Sequence, residues 1–319
     1  MKAKEAYANQ HIVAEKYLAA WQNEKTGKLV EFKRLPGDGF RPKKVGAGGT
    51  GFIRHIYSIK NQEAGPDGSA VTTYDTYLEK EFFTAEIDSP IGVVLKHIRE
   101  TKSVKNLGSK EKRLWAKFLV AQHLRVPRKL EQNATKGAIH FLQLKQQQML
   151  AGPAPTSDED WQKRRQFVAE TLAMHEQEGE NNSKHALPYA INSPAALEPI
   201  LNSHWEVMDL SHILDTFIIG DHPVVWNNDY GKLFSILLPL SPHLLFLATN
   251  SSKEYLDVHQ MPQKDLVREF NLEQAKSARK YVWACDDSNE ELVRRYLPKR
   301  PWSFKKQNEM TVATEVSRA

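Results

Sequence analysis

Several carboxylates and one histidine that could take part in hydrolysis occur at positions predicted to lie beside or within the apolar core. A helix predicted from Tyr74 carries Glu79 and Glu86, and at about 100° per residue both carboxylates project beside its apolar stripe. Asp221 directly follows the apolar run TFIIG, which predicts a strand ending at this carboxylate. His11 lies on the apolar face of a predicted N-terminal helix. Buried charges are stable only when paired or strongly hydrogen-bonded, so these positions are candidates for a site.

Together these residues could form a metal-dependent hydrolytic site. Glu86 and Asp221 would coordinate a divalent cation, Mg²⁺ or Mn²⁺, because carboxylate oxygens are hard ligands. His11 would act as the general base or as a further ligand, which gives all three residues catalytic roles. The alternative is structural, because an aspartate after a strand often holds a turn and a single histidine on an apolar face is often a core residue.

A second predicted helix, RLWAKFLVAQHLR, also places polar groups on its apolar side. Gln122 lies beside the apolar stripe, and Arg125 is nearly in line with Leu114. We expect this helix to face the acidic one, with Arg125 meeting Glu86 or Glu79. Arg125 and Gln122 would then bind a substrate phosphate. The alternative is a buried Arg–Glu pair that only joins the two helices.

The positive charge of the chain is concentrated in one stretch. Residues 96–129 contain eleven Lys or Arg and two Glu, whereas the rest of the chain contains 33 basic and 37 acidic residues. Such a stretch suits a phosphate-contacting surface, so Lys110, Lys112 and Arg113 are assigned to substrate binding. Nucleic acid or a nucleotide is the expected partner. A solvated, lysine-rich helix pair is the alternative, because aromatic residues do not alternate with the charges.

The pattern of elements that must position these residues is typical of an α+β fold. A helical N-terminal part, about 1–150, is expected to pack on a small, mainly antiparallel sheet in a β-rich part, about 158–300. Both parts would form a single domain, followed by a loose polar tail at 301–319. Helices are predicted to about residue 22, over 109–124 and over 272–284, and a polar loop at 176–185. The runs WEVMDL, TFIIGDHPVVW, KLFSILLPLS and HLLFLAT are predicted strands.

The run GAGGTG, Gly46–Gly51, matches the glycine pattern of a dinucleotide-binding loop. That loop requires a buried strand before the glycines and a helix after them. Here RPKKV precedes the run, and the strand-like FIRHIYSIK follows it. We therefore expect a glycine-rich surface loop or hairpin, and no NAD.

Composition argues against several classes of protein. The single cysteine, Cys285, rules out an internal disulfide and favours a reducing compartment. The N-terminus has charges where a signal peptide needs an apolar core. The longest apolar tract, residues 234–248, contains two prolines and is shorter than the ~20 residues of a membrane span. We expect a cytoplasmic protein with no membrane partner. The sequence contains no Walker loop, G-x-S-x-G, H-E-x-x-H or paired C-x-x-C motif.

Segments spread over most of the chain resemble a large microbial family, domain of unknown function 4238. They are, in order, QHIVAEKYLAAW, IYSIK, AEIDSP, LVAQHLRVP, FIIGDHPVV, LLPLSPHLLFLA and FNLEQAKSARKYVWA. Ala14 stands where the family's His-x-x-Pro pattern has proline, and Gly220 and His222 replace the serine and asparagine of its Ser-Asp-Asn-Pro motif. The resemblance supports the fold and the choice of residues. It implies no mechanism, because the family has no established reaction.

The function predicted from these residues is a phosphate-directed, metal-dependent hydrolase of the nuclease type. A role in bacterial defence against phage or in a toxin system would suit that chemistry. The alternative is a non-catalytic nucleic-acid-binding or interaction protein that uses the basic stretch 96–129.

Overall fold

The computed structural model describes residues 7–35, 39–65, 67–229 and 233–297. The predicted polar tail, 301–319, lies outside these residues. The described chain is mixed α+β with antiparallel sheets, which confirms the predicted fold class. Among the helices of the described residues, none is both long enough and apolar enough to cross a membrane.

The elements are numbered along the chain. The strands are β1 (Asn9–His11), β2 (Leu29–Arg34), β3 (Phe40–Val45), β4 (Phe52–Arg54), β5 (Ile59–Ala64), β6 (Ala70–Asp75), β7 (His204–Asp209), β8 (Ile219–Gly220), β9 (Val225–Asp229), β10 (Leu233–Ser241), β11 (Leu244–Thr249) and β12 (Tyr281–Ala284). The α-helices are α1 (Glu15–Leu18), α2 (Ile91–Thr101), α3 (Ser109–Leu124), α4 (Pro127–Ala151), α5 (Asp158–His185), α6 (Leu187–Asn192), α7 (Pro194–Leu201), α8 (Ser252–Gln260), α9 (Gln263–Ser277) and α10 (Glu290–Tyr296). A π-helix spans Leu78–Asp88, and short 3-10 turns span Ala19–Trp21 and Ala47–Gly49.

Two four-stranded antiparallel sheets organise the described chain. The first has the order β3–β2–β12–β8, so an early strand pairs with a late one and Phe32 lies opposite Val282. The second has the order β7–β11–β10–β9. Every residue of β11 is buried, because both faces of this strand are covered. On one face Phe246 contacts Trp115 of α3, and on the other Leu247 packs in the cluster formed with α8 and α9.

Buried hydrogen bonds join the N-terminal residues to the later part of the chain. The Tyr17 hydroxyl donates to the carbonyl of Pro239 at 2.7 Å, and the Trp21 indole donates to the carbonyl of Phe217 at 2.9 Å. One hydrophobic cluster therefore runs from the start of the described chain to its last strand. This cluster joins residues 12–14, directly after β1, to the π-helix and α3, and these elements carry the candidate site.

Three predicted elements were wrong. Only Glu15–Leu18 of the expected N-terminal helix is α-helical, and His11 lies in β1, opposite Phe52 of β4. The predicted loop at 176–185 is the last part of α5, where Glu180 and Asn181 bind Lys60 of β5. The predicted helix at 272–284 ends at Ser277, and YVWA forms β12, because its aromatic and β-branched residues pair with strands on both sides.

Other predicted elements were confirmed. Helix α3 spans the predicted residues 109–124, and β7, β10 and β11 coincide with three of the predicted apolar runs. The glycine run forms a 3-10 turn followed by strand β4. Gly51 adopts φ 73°, and a Cβ there would lie 2.7 Å from Leu18 Cδ1, so this turn requires glycine.

Candidate functional site

Arg125, directly after α3, is completely buried and forms an ion pair with Asp88, the last residue of the π-helix. Its Nη1 lies 2.9 Å from both carboxylate oxygens of Asp88, and its guanidinium lies over the ring of Phe83 at 5.5 Å. The acidic helix and the Arg125 helix do face each other, as predicted. The ion-pair partner differs, because Asp88 takes the place expected for Glu86 or Glu79. Arg125 Nε and Nη2 have no hydrogen-bond partner among the described residues.

Glu79 is the buried carboxylate beside this pair. Its Oε1 accepts the backbone N–H of His11 at 3.3 Å and lies 4.0 Å from His11 Nδ1, while Oε2 has no partner among the described residues. Burial raises the pKa of Glu79 to about 7, and the charge of Asp88 adds to the rise. Burial also lowers the pKa of His11. The His11 side chain is 22% exposed, so it forms the solvent-facing edge of the group.

Gln122 and Tyr57 complete the surroundings of these residues. Gln122 Oε1 accepts the backbone N–H of Ala14 at 3.3 Å, and Gln122 Nε2 is buried with no partner within the described chain. The Tyr57 hydroxyl lies 2.9 Å from the carbonyl of Arg125 and 3.1 Å from that of His11, which fixes β1 against the end of α3. The polar cluster is defined as His11, Glu79, Asp88, Gln122 and Arg125.

The π-helix explains which carboxylates face inward. Its i→i+5 hydrogen bonds, such as that from Ser89 N–H to the carbonyl of Thr84 at 3.0 Å, widen the turn relative to an α-helix. Asp88 follows Glu79 by nine residues. In an α-helix this separation is about two and a half turns, which would put the two carboxylates on opposite sides. The wider turn brings both to the same side and leaves Glu86 exposed.

The spacing of apolar residues was the signal that could have identified this geometry. Leu78, Phe82, Phe83 and Ile87 are all buried, and their steps of four and five residues exceed the α-helical period. A projection with the α-helical period placed Glu86 beside the stripe and gave no role to Asp88. π-helical turns are often found at functional sites.

Asp221 serves as an acceptor for the backbone rather than as part of the polar cluster. Its carboxylate accepts N–H groups from Arg279 at 2.9 Å, Lys280 at 2.7 Å and Tyr281 at 3.2 Å, and its own N–H donates to the carbonyl of Tyr281. The side chain is buried, and burial raises its pKa. These bonds fix the turn after β8 to the start of β12.

The structure therefore does not bring together the predicted metal pair of Glu86 and Asp221. Glu86 is exposed, whereas the oxygens of Asp221 are taken up by backbone N–H groups. Nor does His11 join them, because within the described ranges there is no group of three or more His, Cys, Asp or Glu that could hold a metal ion. Glu79 and Asp88 are the carboxylates that lie near His11 and Arg125.

The predicted basic substrate-binding residues lie apart from the polar cluster. Lys110, Lys112 and Arg113 are exposed in the first turns of α3, and Arg113 lies 4.0 Å from Glu198. The twelve residues from Arg113 to Arg125 correspond to about 18 Å along a helix. Gln122 and Arg125 therefore belong to one site, and the three basic residues belong to a separate surface.

A histidine pair was missed by the sequence reasoning, and it is formed by His123, near the end of α3, and His222, in the turn after β8. His123 Nδ1 lies 3.4 Å from His222 Nε2, and the His123 ring packs on Trp226. Burial lowers the pKa of His222 to about 4 and holds that of His123 well below its usual range. Both imidazoles are thus neutral at pH 7.

Comparison with known proteins places most of the chain in one family. The model of a family described as a protein of unknown function (DUF4238) matches residues 9–288 of the 319 residues. No curated protein and no solved structure matches the chain.

Proposed function

The chain belongs to the DUF4238 family, and from this premise we propose that its polar cluster is the active site of a hydrolase acting on phosphate esters. The observation that carries the proposal is the Nε–Nη2 edge of Arg125, which is buried and has no partner among the described residues. This edge presents two parallel N–H donors, an arrangement that matches phosphate oxygens.

The unpaired atoms of the cluster support a ligand-binding site. Glu79 Oε2, Gln122 Nε2 and His11 Nε2 are buried without partners in the described chain, as are the two nitrogens of Arg125. Each buried unpaired donor or acceptor costs about 1–3 kcal/mol, so their concentration in one place calls for an explanation. A phosphoryl group held by Arg125 and Gln122 would satisfy the donors.

The pKa shifts support acid–base chemistry at neutral pH. With its lowered pKa, His11 is neutral and can take a proton from water at Nε2. The water oxygen then attacks phosphorus and the bond to the leaving oxygen breaks. Glu79, with a pKa of about 7, carries a proton in a large fraction of molecules and donates it to that oxygen. Transfer of a proton from His11 back to Glu79 through solvent restores both groups.

The cation, substrate and location remain predictions within this proposal. Nucleotides or nucleic acids are the proposed substrates, the cytoplasm is the proposed location, and bacterial defence is the proposed setting. Calorimetry with Mg²⁺ and Mn²⁺ on wild type and on Asp88→Asn tests the divalent cation. Binding that is lost in the variant would make Asp88 a metal ligand, and the absence of binding in wild type would contradict the metal-dependent form.

The direct test is a hydrolysis screen with p-nitrophenyl phosphate, nucleoside triphosphates, and single- and double-stranded nucleic acids, with and without Mg²⁺ or Mn²⁺. We expect turnover by wild type, and loss of turnover in Glu79→Gln and His11→Gln. Glu86→Gln is the matched control, because it makes the same change on the exposed side of the same helix. Thermal unfolding of each variant separates loss of the site from loss of the fold. Absence of turnover, or equal loss in Glu86→Gln, would contradict the proposal.

A second candidate function is nucleic-acid binding by the surface at the start of α3. Lys105, Lys110 and Lys112 are exposed there, and no carboxylate among the described residues pairs with them. The double variant Lys110→Glu, Lys112→Glu should weaken binding to a DNA oligonucleotide and reduce its salt dependence. Lys253→Glu, at an exposed position of α8, is the control. Binding that is unchanged by the double variant would exclude this surface.

A further inference from the structure

Helices α4 and α5 form a long antiparallel hairpin. Arg164 Nη2 donates to the carbonyl of Met149 at 2.8 Å near the tip, and Gly137 packs against Gly179 near the base. The approach at the base is close, since a Cβ on Gly179 would lie 2.5 Å from the backbone nitrogen of Ala138. The two helices therefore pack as one rigid element.

Within the described chain, the hydrogen bonds that join the hairpin to other elements lie near its base. Lys60 Nζ donates to Glu180 at 2.9 Å, and Lys184 Nζ donates to the carbonyl of Ser58 at 2.8 Å. On the α4 side, Leu130 is the last buried hydrophobic residue, and Leu187 is the next along the chain. All residues between them lie in a described range, so this part of the hairpin has no buried hydrophobic side chain.

A stripe of large apolar side chains lies along the free part of α5. Trp161, Val168 and Leu172 are 48%, 39% and 48% exposed. Their spacing of seven and four residues places them on one face of the helix. Two helices that pack only on each other bury too little surface to be stable alone, and a contiguous exposed apolar face marks an association site.

The charges of the two helices favour a second copy of the chain as the occupant. Beyond Leu130, helix α4 carries Lys136 and Lys145 against Glu131, a net charge of +1, whereas α5 carries four Lys or Arg and seven Asp or Glu, a net charge of −3. If each α5 lies on α4 of the other copy, every contact in the resulting four-helix bundle joins helices of opposite charge. A two-fold axis between the copies would make the α5–α4 contact occur twice in identical form.

The dimensions of the hairpin suit a stable dimer. The 21 residues of α4 beyond Leu130 extend about 32 Å, and two helices side by side are about 20 Å wide. One face therefore covers about 640 Å², and two copies would bury about 1,300 Å², within the usual range of specific interfaces. We propose that two copies of this chain associate through the α4–α5 hairpins, with α5 of each copy against α4 of the other.

The experiment is analytical ultracentrifugation of the full chain, wild type and Val168→Glu, Leu172→Glu. The expected wild-type mass is twice the chain mass of 36.5 kDa, and the double variant should raise the dissociation constant about tenfold or more. Leu214→Glu, at a 99% exposed site outside the hairpin, is the matched control and should remain dimeric. A monomeric wild type, or equal dissociation of the control, would overturn the proposal. Circular dichroism confirms that each variant is folded.

The orientation is tested by zero-length Lys–carboxylate cross-linking of an equal mixture of unlabelled and ¹⁵N-labelled protein. Links that join the two isotopic forms should connect α4 to α5, for example Lys145 to Glu170. Links between copies that connect only α5 to α5 would refute the arrangement.

Discussion

Replacing Glu79 by Gln should remove a dependence of stability on pH. Burial raises the pKa of this carboxyl from 4.5 to about 7 in the folded protein. A raised pKa means that between these two values the folded state keeps a proton that the unfolded state has lost, so stability falls as pH rises. Glutamine is neutral at every pH, and its Oε1 can still accept the N–H of His11.

The magnitude follows from these two pKa values. Relative to a residue that stays neutral, Glu79 lowers the free energy of unfolding by about 0.8 kcal/mol at pH 5 and by about 3.3 kcal/mol at pH 8, at about 1.4 kcal/mol per pKa unit. From pH 5 to pH 8 the free energy of unfolding of the wild type should therefore fall by about 2.5 kcal/mol, and that of Glu79→Gln should not show this fall. The Glu79 side chain is 5% exposed, so screening by solvent reduces this figure little.

The assay is urea unfolding at pH 5 and pH 8 of wild type, Glu79→Gln and Glu86→Gln. The stability of Glu79→Gln relative to wild type should increase by about 2.5 kcal/mol from pH 5 to pH 8. Glu86→Gln should follow the wild type, since Glu86 is exposed. A difference between Glu79→Gln and wild type that is the same at both pH values would refute the reasoning, because Glu79 would then be ionised throughout.

Three further predictions concern other parts of the fold. Asp221→Ala leaves three backbone N–H groups without their acceptor and should lower the free energy of unfolding by about 3 kcal/mol or more. An unchanged midpoint of urea unfolding would contradict the role of Asp221 as a backbone acceptor. Burial lowers the pKa of His222 to about 4, so the free energy of unfolding of the wild type should fall by up to about 3 kcal/mol as pH falls from 6.5 to 4. The fall should be smaller for His222→Gln. Identical pH profiles of the two proteins would exclude His222 as the cause. Gly179→Ala should speed proteolysis within the α4–α5 hairpin, because its Cβ would lie 2.5 Å from the nitrogen of Ala138, and Gly152→Ala, with its nearest contact at 3.6 Å, should not. Equal cleavage of the two variants would contradict the close packing.

Local signals were sufficient to predict several elements from the sequence. Helix α3 ends where Pro127 disfavours helical geometry at Val126, and long apolar runs became the strands of the second sheet. Residues 176–185 and 281–284 were mispredicted, because contacts with β5 and with β2 and β8 determine their structure. Those contacts come from segments distant in the sequence, which a local pattern does not record.

For the candidate site, the sequence determined which positions of α3 would be buried and polar. Gln122 and Arg125 are completely buried, as the helical projection predicted. The tertiary structure alone decided which carboxylates meet them. The π-helix turns Glu79 and Asp88 inward and Glu86 outward, and the backbone of residues 279–281 occupies the oxygens of Asp221. Residue type and spacing are local properties, whereas the partner of a buried charge depends on how elements far apart in the chain pack together.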